Sequence, residues 1–154
     1  MIKINVILNN INWKKYLKNP NVYIDKKITL INKKNQLYKK KILICSLLLT
    51  NTLEIKKLNK KFRKKNKSTD VLSFPFYDKK KLKKIINRDK EIYLGDIVIN
   101  LNKIKNKNNK IKFNENLNKL WIHGLVHLFG HVHKKNKDFY VMQKIEKKYL
   151  KYIN

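Results

Sequence analysis

The chain has 154 residues, 42% of them hydrophobic, and this length suits one globular domain over 1–154 with a core large enough to fold alone. Its formal net charge is +29, from 39 Lys and Arg residues against 10 Asp and Glu residues. Such a charge favours a polyanionic partner, above all nucleic acid. Asparagine and isoleucine accompany the lysines, as in proteins of AT-rich genomes, so the charge alone does not separate RNA binding from a solvated surface.

Membrane-spanning and secreted proteins are disfavoured classes. The longest apolar run, from Ile42 to Leu49, is much shorter than the roughly 18 residues of a membrane span. The first ten residues lack the pattern of a secretory signal, so we expect a cytoplasmic protein. Cys45 is the only cysteine and is expected to be a small buried residue.

The first half of the chain alternates predicted strands and helices. Polar and apolar residues alternate over 3–8 and predict a strand, and a weakly periodic helix follows over 24–37. The apolar run 41–50 is typical of a strand covered on both faces. Asn51 and Thr52 indicate the start of a helix that ends near Arg63. A basic loop then leads to a strand at 71–76, where Pro75 favours an edge position.

The second half begins with lysine-rich residues 78–90, which show no clear pattern and are expected to form an exposed loop with no more than one helical turn. A strand over 91–100 and a short helix up to 109 follow. Apolar residues three and four apart predict a helix over 114–129. A last helix, from 136 to about 152, is expected to place five apolar residues on one face: Phe139, Met142, Ile145, Tyr149 and Ile153.

These elements predict a single α+β domain. A small mixed sheet of about four strands is expected to pack with about five helices. No internal repeat or linker divides the sequence.

All four histidines lie within the stretch HGLVHLFGHVH, residues 123–133. Residues four apart share a helix face, so His123 and His127 can present two imidazole nitrogens to one metal ion. Gly130 is suited to end the helix, which lets His133 turn back toward the pair. Three protein ligands leave a fourth position for water, the arrangement of catalytic zinc. We expect His131 to have a supporting or exposed role.

The same spacing occurs in zinc proteases of the pattern H-E-x-x-H-x-x-G-x-x-H, with one difference. Gly124 stands where those enzymes carry the glutamate that acts as general base. A glycine at this position leaves room beside the ion or lets a strand pack closely against the helix. The missing glutamate argues against peptide cleavage.

HGLVHLFGHVH resembles the signature H-G-x-x-H-L-x-G-Y-D-H of the YbeY family, which are single-metal endoribonucleases. Two more stretches resemble family motifs in the same order: LNKKFRKKNKSTDVLSFPF at 58–76 and YLGDIVI at 93–99. The resemblance implies that His123, His127 and His133 bind one zinc ion per chain. It also implies that Arg63 occupies the position of the family's functional arginine.

The resemblance further implies the activity. The chain would be a metal-dependent endoribonuclease that prefers single-stranded RNA and acts in ribosome quality control and in maturation of the three-prime end of the small-subunit rRNA. Its partners would be RNA, above all ribosomal RNA and ribosomal particles. Two other functions stay open: a noncatalytic RNA- or ribosome-binding protein with a structural metal, and a metalloprotease.

The chain departs from the family signature just before the last histidine. His131 and Val132 stand where the family has tyrosine and aspartate, so any role of that aspartate is lost or passes to another group. Asp70 and Asp96 are possible substitutes. Three residues near Asp70 are expected to shape the wall of the cleft or to pack beneath it: Thr69, Ser73 and Phe74.

Overall fold

The chain folds around one four-stranded sheet. This computed structural model describes residues 1–35, 38–132 and 136–153. The strands lie in the order β1-β2-β4-β3. Strands β1, β2 and β4 run parallel, and β3 is antiparallel to β4 at the edge. The bounds are β1 Ile2–Leu8, β2 Ile42–Thr50, β3 Val71–Pro75 and β4 Glu91–Asn100. The predicted strands are confirmed, and so is the edge position expected from Pro75, which has no N–H to give to a sheet neighbour.

Helices cover both faces of the sheet. They are α1 Pro20–Lys34, α2 Thr52–Arg63, α3 Lys79–Arg88, α4 Lys110–Leu128 and α5 Asn136–Ile153, with short 3-10 helices at Ile11–Lys15 and Leu101–Lys103. Residues of α1, α4 and α5 join those of the sheet in the main core. A smaller cluster around Ile55, Leu72 and Val98 packs α2 on the opposite face. The α+β class with a mixed four-stranded sheet and five helices is confirmed.

Several elements differ from the sequence prediction, including α4, which begins at Lys110 and not at 114. The prediction of a loop over 78–90 is wrong, because Lys79–Arg88 forms α3. Its start is fixed by the Asp78 carboxylate, which accepts from Lys81 N, and its apolar side buries Leu82. Helix α1 begins at Pro20 because the Asn19 side chain caps it, and the helix expected up to 109 is limited to Leu101–Lys103. Residues 36 and 37, the end of the helix expected over 24–37, lie outside the described residues.

Helix α4 passes through the core and carries the first two histidines in its last turns. It begins after Asn109, whose side chain accepts from Lys112 N, and it buries the predicted apolar face, including Trp121 and Leu125. It ends shortly before Gly130, which has φ +79°, a left-handed conformation that favours glycine. The turn expected at Gly130 is thus observed.

Helix α5 packs against α4 and α1. Met142, Tyr149 and Ile153 are buried as expected, but Phe139 is 50% exposed, so the predicted apolar face is shorter than its pattern indicated. Cys45 is buried, and this burial raises the pKa of its thiol to about 12. Among the described residues, no helix has the length and apolar character needed to cross a membrane.

Candidate functional site

The side chains of His123 and His127 converge in the last turns of α4. Their Nε2 atoms lie 3.1 Å apart and their rings are nearly perpendicular, at 89°. The side chain of His123 is 32% exposed, so the pair sits near the surface. The helical spacing therefore brings two ring nitrogens to one point, as the sequence predicted.

The other nitrogen of each ring is held by an oxygen that can only accept a hydrogen bond. Nδ1 of His123 lies 2.8 Å from Oε1 of Glu146, and Nδ1 of His127 lies 2.8 Å from the backbone oxygen of His131. A carboxylate and a carbonyl both require the proton on Nδ1. These partners assign the tautomer in which each neutral ring presents Nε2 as its acceptor nitrogen.

This arrangement fits a bound cation. Two Nε2 lone pairs that face each other at 3.1 Å repel unless a proton or a metal ion lies between them. Nitrogens bound to one tetrahedral zinc ion, with bonds of about 2.0 Å, are about 3.3 Å apart, close to the observed separation. The oxygen partners on Nδ1 are those that zinc-bound histidines commonly have. The histidine pair thus has the donor atoms, the spacing and the tautomers of a zinc site.

The third predicted ligand, His133, lies outside the described residues. Within residues 1–35, 38–132 and 136–153, no group of three His, Cys, Asp or Glu side chains is placed to hold a metal. The described part of the site is therefore the His123 and His127 pair.

The residues just before position 133 have separate roles. His131 contributes its backbone oxygen to His127, and its ring is partly buried. Burial, together with nearby Lys79, lowers the pKa of the His131 ring. Val132 is 46% exposed, consistent with a position that orients no ligand.

Gly124 lies against the sheet. A Cβ built on it would be 2.6 Å from Cγ2 of Ile97 and 3.2 Å from Oγ of Ser73. Of the two explanations for this glycine, the structure supports close packing of β4 and β3 against the helix. A glutamate here would project into that packing, so the position does not suit a protease's general base.

Arg63 ends α2 and reaches the edge strand. Its Nη2 donates to the backbone oxygen of Ser73 at 2.8 Å, and its guanidinium carbon lies 5.8 Å from the centre of the Phe74 ring. The Ser73 side chain is buried on the side of β3 that faces Gly124, the residue after His123. Arg63 and the histidines are thus linked through β3, and Arg63 as a whole residue is exposed.

The other expected wall residues divide between packing and local hydrogen bonds. Phe74 packs on the small core beneath α2, as expected. Thr69 donates to the Asp70 carboxylate, which also accepts from Val71 N. Asp96 accepts from the Tyr93 hydroxyl. The hydrogen bonds of Asp70 and Asp96 therefore join them to neighbours in their own segments.

Glu146 is the acidic partner that sequence reasoning missed. It comes from α5, 23 residues along the chain from His123, and its side chain is 24% exposed. A signal was present, because Glu146 follows Ile145 at the border of the apolar face of α5. A carboxylate at the border of an apolar helix face lies close to the neighbouring element, and the neighbour of α5 on this side is α4.

Comparisons with known proteins identify the family of the chain. The sequence model of one protein family, described as Endoribonuclease YbeY, matches residues 8–154 of this chain. An Endoribonuclease YbeY of Pelagibacter ubique is 44% identical over 156 residues, which cover 99% of this chain and 97% of that protein. One from Ehrlichia canis is 34% identical over 152 residues, covering 97% of this chain and 91% of the relative.

The fold has a counterpart among solved structures. The solution structure of a Thermotoga maritima protein superposes with a TM-score of 0.60 at 25% identity, covering 98% of this chain and 89% of that one. Sequence similarity thus extends over nearly the whole length, including α4 and the two strands that pack on it. The chain belongs to the Endoribonuclease YbeY family.

Proposed function

We propose that this protein is a zinc-dependent endoribonuclease, with His123, His127 and His133 as the metal ligands and Arg63 as the catalytic cation. The observation that carries the proposal is the His123 and His127 pair, whose Nε2 atoms face each other at 3.1 Å while both Nδ1 atoms donate to oxygens. His133 enters as a ligand from its spacing in the sequence and from the family motif.

Each residue has a defined part in this proposal. Zinc, when bound, polarises a phosphate oxygen and increases the acidity of an attacking water. Glu146 and the His131 carbonyl fix the two imidazole rings so that Nε2 faces the ion. Arg63 can hold two phosphate oxygens with its planar guanidinium and balance the negative charge that grows at phosphorus.

The whole chain, 1–154, would act as one endoribonuclease domain on single-stranded segments of ribosomal RNA, including the small-subunit three-prime end, in ribosome maturation and quality control. The net charge of +29 supports nonspecific attraction of the RNA backbone. Ribosomal particles as partners agree with the cytoplasmic location expected from the sequence.

Cleavage should depend on both the metal and Arg63. Purified protein with quantified zinc is expected to cut single-stranded RNA, and chelation should abolish cutting until zinc is restored. Arg63→Ala should lower kcat about 10²- to 10³-fold with zinc content unchanged, since a charge-stabilising donor is lost. Arg63→Lys should recover only part of the rate, because an ammonium lacks the two-pronged geometry.

The other arginine provides a matched control for this experiment. Arg88 is exposed and bonded to neighbouring Asp89, so Arg88→Ala should cleave like the wild type. Cleavage that continues in metal-free protein would contradict the proposal. RNA that is bound tightly but left intact by the zinc-loaded protein would instead indicate a noncatalytic RNA-binding protein.

Glu146→Ala is expected to weaken zinc binding about 10- to 100-fold, because it removes the acceptor that orients His123. Glu146→Gln keeps an acceptor oxygen and should recover part of the affinity. The measurement is competition with a chromophoric chelator. Glu115→Ala, which removes an exposed acid from α4, is the control. A zinc affinity of Glu146→Ala equal to that of the control would show that Glu146 does not position the ligand.

A further inference from the structure

A concave site lies next to the C-terminal end of α4, which carries the histidine pair, and it has no part in the proposed function. It is a pocket of about 870 Å³, within the size range of sites for small organic ligands. Its lining includes Phe129 and His131, which directly follow the last turn of α4. Because the His131 carbonyl also holds His127, one wall of the pocket is continuous with the candidate metal centre.

The floor of the pocket is apolar and partly aromatic. The rings of Tyr38 and Phe129 stack with centroids 5.5 Å apart and planes only 6° apart. Both residues are partly buried, so they keep some surface open to the pocket. Aliphatic and aromatic side chains from α3 and α5 complete the floor: Leu82, Ile86, Ile145 and Tyr149. A flat, weakly polar group would bury its faces here.

The rim of the pocket is cationic. Six lysines contribute to the lining: Lys39, Lys40, Lys41, Lys79, Lys83 and Lys148. Among the described residues that line it, none is acidic. An occupant therefore needs negative charge at its edges and an aromatic or apolar centre. A nucleotide has both features, and aromatic stacking within a basic groove is the usual way to bind single strands.

We propose that this pocket holds one unpaired nucleotide of the RNA strand next to the bond that is cut. The base lies on the floor formed around Tyr38 and Phe129, and the flanking phosphates contact the lysine rim. A base within a duplex has both faces covered by its neighbours, so the pocket selects single-stranded RNA. The inference rests on the proposed function for the identity of the strand. An acidic peptide would satisfy the lysines but leave the aromatic floor without a flat partner.

Paired charge reversals test the rim. The double variant called the pocket pair, Lys83→Glu with Lys148→Glu, changes two exposed lysines that line the pocket. The control pair, Lys84→Glu with Lys147→Glu, changes their exposed neighbours on the same two helices. The probe is a short single-stranded DNA, which an endoribonuclease leaves intact and which offers the same bases and phosphates. At near-physiological salt, the pocket pair should bind about tenfold more weakly or worse, and the control pair within about threefold of the wild type.

Abasic substitutions test the floor. Removal of the base at one position of the probe should weaken binding by the wild type about fivefold or more, since stacking of one base is lost. In Tyr38→Ala this penalty should disappear. Equal losses in the two lysine pairs, or no position at which the base matters, would overturn the inference in favour of diffuse attraction of phosphates.

The same preparations are assayed for RNA cleavage, which separates the two proposals. Cleavage by the wild type with no dependence on the pocket variants would overturn this inference and leave the proposed function standing. Pocket-dependent binding without any cleavage would overturn the proposed function, and with it the placement of the pocket next to a bond that is cut, and would leave only a nucleotide-binding pocket. Absence of both binding and cleavage would overturn both.

Discussion

His127→Ala is expected to remove zinc binding and to lower the rate of RNA cleavage at least about 10³-fold, while the fold persists. In the folded protein, Nδ1 of His127 donates to the His131 carbonyl and its Nε2 lies 3.1 Å from Nε2 of His123. Without this ring, His123 alone remains of the described pair, and zinc sites rely on three or more protein ligands. The His127 ring is only partly buried, so the core should tolerate its loss.

The chain offers a matched control four residues away. His131 supports His127 through its backbone oxygen, so His131→Ala removes a neighbouring imidazole but keeps that contact. We expect His131→Ala to bind one zinc ion per chain, as measured by elemental analysis and chelator competition. Thermal unfolding of the metal-free proteins checks that both variants fold. A His127→Ala protein that holds zinc with wild-type affinity would refute the ligand set, whereas loss of zinc in His131→Ala would implicate its ring.

Local signals were sufficient for most of the fold. Alternation and apolar runs predicted the four strands, and helix caps such as Asn51 set starts that the structure confirms. The largest exception is α3, where many lysines obscured a short apolar side. Asp78 as a cap and the spacing of Leu82, Ile85 and Ile86 were the signals that indicate this helix.

Only the part of the candidate site whose residues lie close together in the sequence could be predicted. His123 and His127 share one helix face, so their convergence follows from helical geometry alone. Glu146 reaches His123 only because α5 packs on α4, a contact that no spacing within the motif encodes. For the same reason the sequence pointed to Asp70 and Asp96, which make other hydrogen bonds. Contacts between distant elements depend on packing, which the local patterns of a sequence do not reveal.

Gly124→Glu is expected to destabilise the protein by more than about 4 kcal/mol and to produce no protease. The Cβ of any side chain at this position would be 2.6 Å from Cγ2 of Ile97, a branched side chain of β4 that cannot move aside easily. Gly124 is buried between α4 and the sheet, so a glutamate would also bring a charge among apolar groups. The midpoint of thermal unfolding should therefore fall by about 10 °C or more.

Two further variants separate steric crowding from the effect of charge. Gly124→Ala adds only the crowded Cβ, which costs about 1–3 kcal/mol of stability. Because alanine has the better helix propensity by about 1 kcal/mol, the net loss of stability should be small. Lys119→Glu places the same new residue on the exposed side of α4 and should change stability by about 0.5 kcal/mol at most. A stable Gly124→Glu protein that hydrolyses casein would show that the glycine replaces a protease base. A Gly124→Glu protein that is strongly destabilised and inactive on casein would show that Gly124 lets α4 approach the sheet, whereas a variant as stable as the wild type would contradict that explanation.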